Sequence, residues 1–394
     1  MTMFSFMHGA HGAHGAHGAH GAHGAHGAHG AHGAHGAHGA HGAGGAVDGF
    51  GLAGLQTSTQ AIVHAAGHGP LSPVGIADLA PDTAALMRRW APDVRAMLLQ
   101  SVFQRDLRCT STETSGVVQS VTISWGNADL WTARRPAPAS LATQAGLVRA
   151  YVDQRPERSA EILSQLGGFG AYFGIILGLT AARNPRTYEL LDVVQALAGL
   201  VTMLPKHLFA CRRPDEIDTR ILPLIPTPGH GAFPSGHATQ AFAMAEVLAA
   251  LIRAVPDHYA DADKRIDLVW RQAHRIAVNR TVAGVHFPID SAVGARLGVQ
   301  VGRVLVGLMT GQALVRPMLS FDPDAAPADD FLYQPFRDTV TAPPRTDAKG
   351  VQDSVALAVS SDKPGPDPLF GWAFGVAKAE FGGTMAPAPS ATAA

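Results

Sequence analysis

Three short stretches concentrate the side chains that grip an oxyanion. The first, KHLFACRRP (206–214), sets Lys206 and Arg213 seven residues apart. Two helical turns would bring them to nearly one face of a short helix, with Pro205 at its first position and Pro214 ending it. Two cations so placed can clamp a phosphate, the guanidinium supplying a two-pronged fork. A basic pair on a helix is more often simply solvated. The second stretch is FPSGH (233–237), ahead of the apolar run 238–254. Free N–H groups at a helix start, the positive end of the helix dipole, the Gly236 N–H and Ser235 Oγ all favour an anion there, with His237 at the mouth. The plainer reading is an ordinary serine cap. The third is NRTVAGVHFPID (279–290). Arg280 and His286 are six apart, which is not one helical face, so a loop at Ala283–Gly284 must bring them together. His286 and Asp290 stand at i, i+4, where the carboxylate can fix one imidazole nitrogen and leave the other free to attack. A lone His/Asp pair is also a common structural device.

The elements that must position these residues are mostly helical. Proline punctuation and apolar periodicity predict helices over about 93–107, 141–154, 157–182, 187–204, 206–213, 238–254, 264–279 and 289–312. The alternating, β-branched run 117–124 (VVQSVTIS) reads as a lone strand or hairpin arm. Gly294, Gly298 and Gly302 make a small-residue stripe that should pack tightly against a neighbouring helix. The expected fold class is all-α, an antiparallel helix bundle with the site at one end. Its expected divisions are a low-complexity, disordered segment 1–70, an irregular or helical part 71–140, a catalytic bundle 141–316 and an irregular C-terminal extension 317–394 that partly packs back through its aromatic residues.

The disordered segment holds a tripeptide, His-Gly-Ala, repeated twelve times from His8 to Ala43. It reads as a drifting codon repeat. A sharper alternative is buffering of Zn, Ni or Cu by histidines recurring every third residue. The full chain, at 46% hydrophobic and 15% charged, has ample apolar material for a core. With 30 Lys and Arg against 31 Asp and Glu, no global basic field exists to hold nucleic acid, so an anion site must be built locally. Cys109 and Cys211 read as reduced thiols, a single long-range bridge being the alternative. No secretory signal is visible, and the expected location is cytoplasmic or unknown. One uncharged run, 162–182, is long enough to span a bilayer; membrane association is the less favoured reading, because its five glycines suit close packing in a soluble core equally well.

Taken together, the three stretches resemble the signature of the type 2 phosphatidic acid phosphatase (PAP2) and vanadium haloperoxidase superfamily: K-x6-R-P, then P-S-G-H, then S-R-x5-H-x3-D. Asn279 stands where the pattern has serine. The resemblance implies that Lys206, Arg213 and Arg280 bind the non-bridging oxygens of a phosphate, and that Ser235 and the Gly236 N–H add hydrogen bonds. His286 would be the nucleophile, oriented by Asp290, and His237 would protonate the leaving alcohol. No cofactor is implied for a phosphatase acting on a small phosphate ester. In the haloperoxidase branch the same pocket would hold vanadate, with His286 as the vanadium ligand and halide and peroxide as substrates. A non-catalytic oxyanion- or metal-binding protein is a third reading. His230 is expected to be a loop residue, and His207 and Arg212 to face away from the site.

Overall fold

The computed structural model describes residues 54, 56–62, 84–312, 315–316, 319–341, 357–358 and 365–382. The His-Gly-Ala repeat lies outside them. Within the segment expected to lack structure, residues 56–62 are helical. The chain divides into two compact units, Met1–Arg95 and Ala96–Ala394. In the first, α1 (Ala84–Arg89) is followed by the start of α2 (Pro92–Arg105), and Arg95 Nη1 donates to the Met87 and Trp90 carbonyls.

The second unit corrects the all-α expectation. Strands β1 (Leu107–Thr114), β2 (Val117–Trp125) and β3 (Ala128–Arg134) form an antiparallel meander, and β5 (Leu319–Phe321) adds to β3 in parallel. The tight β1–β2 connection uses Ser115 (φ 50°) and Gly116 (φ 75°), both left-handed, the backbone a two-residue hairpin loop needs. Only β2 shows the alternating pattern. β1 is largely exposed and polar (LRCTSTET), so no apolar period announces it. Two-residue strands β4 (Val315–Arg316) and β6 (Leu357–Ala358) pair separately.

Around this sheet run helices α3 (Pro138–Ala150), α4 (Arg155–Ser164), α5 (Gly170–Leu177), α6 (Pro185–Phe209), α7 (Pro214–Ile217), α8 (Gly236–Ala254), α9 (Ala262–Val282) and α10 (Pro288–Thr310). Two expected boundaries move. The helix expected over 157–182 is two helices, broken at Gln165–Phe169, where Gly168 takes φ 137°; α5 then stops at Gly178 in the left-handed region. The run 162–182 is therefore not one continuous span. The helices long and apolar enough to cross a bilayer lie instead within Pro185–Ile217 and Pro288–Thr310, whose apolar windows are 56% and 83% buried inside the protein. The helices expected over 187–204 and 206–213 are one element, α6, with Pro205 inside it; the chain leaves at Ala210 (φ 48°) and is extended at Arg213. Lys206 and Arg213 thus do not share a helix face. Pro214 opens α7 rather than closing a helix.

α8 packs against α6, α9 and α10. The glycine stripe of α10 lies against it: a Cβ at Gly294 would strike the Ser235 carbonyl, one at Gly298 the Thr239 carbonyl, and one at Gly302 would sit 2.9 Å from the Ala243 carbonyl oxygen. The C-terminal extension, expected to be irregular, carries α11 (Tyr333–Thr341) and α12 (Pro368–Phe381), and buries Phe331, Phe336, Phe370 and Phe381. From α12, the buried Glu380 carboxylate accepts from the Arg186 N–H (2.9 Å), the Thr187 N–H (2.8 Å) and Thr187 Oγ1 (3.0 Å), satisfying the orphan donors at the start of α6. Both cysteines are free, Cys211 buried and Cys109 half-buried.

Candidate active site

Each motif is delivered by the end of a helix. Lys206 sits in the last turn of α6, and Arg213 on the extended segment that follows. Ser235 caps α8, its Oγ accepting from Ala238 N–H at 3.4 Å, so the ordinary cap is realised as well. Arg280 lies in the last turn of α9. The chain then turns at Ala283–Gly284, where Gly284 has φ 83°, and the Val285 and His286 N–H groups fold back on the Arg280 carbonyl at 3.1 and 3.3 Å. Asp290 follows in the first turn of α10. The Ser235 N–H donates to the Asp290 carbonyl at 2.9 Å, tying the second motif to the third.

The imidazole of His286 has a defined tautomer. Arg213 Nη1 lies 3.0 Å from its Nε2 and can only donate, so Nε2 carries the lone pair. The proton is therefore on Nδ1, which donates to Asp290 Oδ2 at 2.9 Å; the same oxygen accepts from the Phe287 N–H at 2.9 Å. His237 has the opposite arrangement. Its Nε2 lies 3.3 Å from the main-chain carbonyl of Gln165, an acceptor only, so Nε2 bears the proton.

The three cations differ in how far the protein satisfies them. Arg213 uses every guanidinium donor internally: Nε to the His230 carbonyl (3.1 Å), Nη1 to the Val285 carbonyl (2.7 Å) and His286, and Nη2 to His230 Nδ1 (3.0 Å) and the Gly231 carbonyl (3.3 Å). Lys206 Nζ donates to the carbonyls of Gly231 and Ala232, both at 3.0 Å, keeping its third proton for a further acceptor. Arg280 is anchored through Nη2 alone, to the Ile162 carbonyl (3.2 Å) and Gln165 Oε1 (2.8 Å), while its buried Nε and Nη1 have no partner. Side chains 1–2% exposed carry all three charges, and an uncompensated buried charge is costly.

The titration behaviour follows. Burial, then Arg213, pushes Lys206 down to about 7, Asp290 pulling weakly the other way. Burial lowers Arg280 to about 10. Burial and then Arg280 hold His237 down at about 3, and burial with Arg213 and Lys206 holds His286 well below the ordinary imidazole range. Burial raises Asp290 to about 7, against the Phe287 N–H and both neighbouring cations. The charges of Lys206, Arg213, His237 and His230 all act on His286, and that of Arg280 acts on His237.

Sequence reasoning missed Gln165, Glu161 and Phe169. Gln165 is 1% exposed and reaches both Arg280 and His237; Phe169 stacks on His237 with centroids 5.8 Å apart. Their one signal is polar or aromatic residues in an otherwise glycine-rich apolar run. His230 is an exposed loop residue, as expected, yet its ring meets Arg213 at the mouth; His207 and Arg212 are exposed.

The family model of the PAP2 superfamily matches residues 190–312, which contain all three motifs. Decaprenylphosphoryl-5-phosphoribose phosphatase of two Mycobacterium tuberculosis strains is 29% identical over 190 residues, covering 47% of this chain and 98% of the relative. A transmembrane PAP2-type phosphatidylglycerolphosphate phosphatase from Bacillus subtilis aligns at a TM-score of 0.35 and 23% identity, over 43% of this chain and 85% of that one. Lys206, Arg213, the PSGH turn, Arg280, His286 and Asp290 keep the family's order, and the match of residues 190–312 to the PAP2 superfamily spans them all.

Proposed function

We propose that the chain is a phosphatase that hydrolyses phosphate monoesters through a phosphohistidine at His286. The observation that carries this is the tautomer of His286: a lone pair on Nε2, the Nδ1 proton held by Asp290, and the buried cations Arg213 and Lys206 acting on the ring. The ester's non-bridging oxygens would take the open donors of Arg280 and Lys206, with the Gly236 N–H and Ser235 at the start of α8. His286 Nε2 attacks phosphorus as the P–O bond to the alcohol breaks, and His237 delivers a proton to the departing oxygen. Water then attacks phosphorus as the P–N bond breaks and its electron pair returns to His286 Nε2; the water gives a proton to His237, and inorganic phosphate leaves. Neutral His237 cannot supply the first proton. The bound phosphate's negative charge, set against Arg280, raises its affinity for one, so the acid is armed by substrate.

The relatives of M. tuberculosis are phosphatases by name, which supports hydrolysis over halide oxidation. The test is hydrolysis of p-nitrophenyl phosphate, with and without EDTA, alongside bromination of monochlorodimedone with vanadate and peroxide. Ester hydrolysis that survives EDTA and is inhibited by vanadate is expected; bromination without hydrolysis would refute the reading. Trapped protein should carry acid-labile phosphate that His286→Ala lacks. Asp290→Asn should lower kcat by about 10²–10⁴-fold, because an amide no longer enforces the Nδ1–H tautomer.

A further inference from the structure

We propose that Gln165 is a positioning residue that couples the oxyanion clamp to the leaving-group histidine. The inference rests on the phosphatase reading and assigns to a residue outside all three motifs the task of holding two of their members.

Gln165 lies at the break between α4 and α5, immediately after Ser164 and two residues before Gly167-Gly168. All of its polar atoms are engaged. Its side-chain Oε1 accepts from Arg280 Nη2 at 2.8 Å and from Asn279 Nδ2 at 3.1 Å. Its Nε2 donates to Glu161 Oε1 at 3.1 Å, and its N–H to the Glu161 carbonyl at 3.1 Å. Its own carbonyl accepts from His237 Nε2 at 3.3 Å. Two donors meet one side-chain atom and a carboxylate meets the other, so the amide's orientation is determined by its partners.

Two consequences follow. Through Oε1, Gln165 anchors one end of the Arg280 guanidinium and leaves Nε and Nη1 as the donors with no protein partner. Through its carbonyl, it fixes the His237 proton on Nε2, so Nδ1 is the nitrogen that exchanges protons with the leaving group. One residue thereby sets both where phosphate oxygens are held and which atom of the acid faces the alcohol. The departure at Asn279 fits the same device. Serine is too short to reach α4, whereas Asn279 Nδ2 also donates to Glu161 Oε1 (2.9 Å) and its Oδ1 accepts from Arg158 Nη1 (2.9 Å). Asparagine thus braces the same Gln165 oxygen that Arg280 uses.

The test uses the full chain, p-nitrophenyl phosphate for kcat and KM, and orthovanadate for an inhibition constant. Gln165→Leu keeps the volume and removes the acceptor. It is expected to weaken vanadate inhibition and lower kcat/KM by about tenfold or more, since a hydrogen bond to a buried charge is lost. Gln165→Glu keeps an acceptor but pairs Arg280 with a carboxylate that competes with the oxyanion, and it trades the donor to Glu161 for a second carboxylate; it too should weaken vanadate inhibition by about tenfold, with a lowered melting temperature. If Gln165 acts through Arg280, adding Gln165→Leu to Arg280→Met should change vanadate inhibition less than about twofold. Should Gln165→Leu fail to fold, Gln165→Glu carries the decision. Wild-type turnover with either variant within about twofold of wild type, or with effects that multiply in the double variant, overturns the positioning role alone. Absence of turnover and of vanadate binding in the wild type overturns the phosphatase reading, and this inference with it.

Discussion

Arg213 and Arg280 look equivalent in a motif and are different objects in the fold. Arg213 spends every donor on the 230–231 loop, the Val285 carbonyl and His286, so it is a strut that also holds the His286 ring. Arg280 keeps Nε and Nη1 for something else. Lysine cannot reproduce a multi-pronged guanidinium. Arg213→Lys should therefore cost about 2–4 kcal/mol in urea unfolding together with activity, because several buried carbonyls lose their donor at once. Arg280→Lys should leave the unfolding midpoint nearly unmoved and act chiefly on substrate binding, raising KM by about tenfold. Equal stability losses in the two variants would contradict this division. The three stretches themselves were legible in the sequence, because charge and histidine spacing of this kind has little other reason to recur together. How each is used was not: donor saturation depends on carbonyls contributed by residues 230–232 and 285, whose identity the sequence does not encode. Gln165 carried no spacing signal, its partners lying 72, 114 and 115 residues away.

Helix ends carry the chemistry, so helix packing sets its tolerance. Gly294 lies directly beneath the Ser235 backbone, and Gly298 one turn on beneath Thr239, whose Oγ1 ties the Ser235 carbonyl (2.9 Å) to that of Gly294 (3.0 Å). Gly294→Ala and Gly298→Ala should each destabilise by about 1–3 kcal/mol through overpacking against backbone that cannot rotate away. Gly294→Ala should lose far more activity per kcal/mol of stability, because the displaced atoms are those of the α8 cap. Comparing kcat/KM with chemical unfolding for the pair separates the two effects. That stripe was readable, since i, i+4 glycines on a long apolar helix have few other uses. The sheet was not: β1 is polar on both faces, β3 is short, and β5 arrives from nearly two hundred residues downstream to pair in parallel. The continuity of α6 through Pro205 was misread because proline ordinarily ends a helix. Glu380, capping α6 from α12, shows why the C-terminal extension is ordered there: its carboxylate meets N–H groups that would otherwise be buried unpaired.

Across the whole molecule charge is nearly balanced, at a formal −1, while the buried site sets Lys206 and Arg213 against Asp290. That local imbalance makes stability depend on pH in a direction that can be worked out. Lys206 falls from 10.5 to about 7 on folding, so the unfolded chain binds more protons between those values. Its burial penalty is therefore full below about pH 7 and disappears as pH rises toward 10.5. Asp290 runs the other way, its penalty growing from 3.8 to about 7, and His237 adds a penalty at pH below 6.5 that is complete near 3. Sulfate is a tetrahedral dianion that does not itself titrate in this range. Bound in the pocket, it would hold Lys206 charged and offset the repulsion among the cations. The melting-temperature gain from sulfate should accordingly be largest at and below about pH 7 and shrink toward pH 10, where the lysine is neutral. Calorimetry near pH 7.5 in two buffers of different ionisation enthalpy should show net proton uptake on sulfate binding, because the anion raises the proton affinity of Lys206 and Asp290 alike. A sulfate effect independent of pH, or proton release on binding, would mean that Lys206 is fully charged before any anion arrives, and that the pocket's cations are not held in tension by burial.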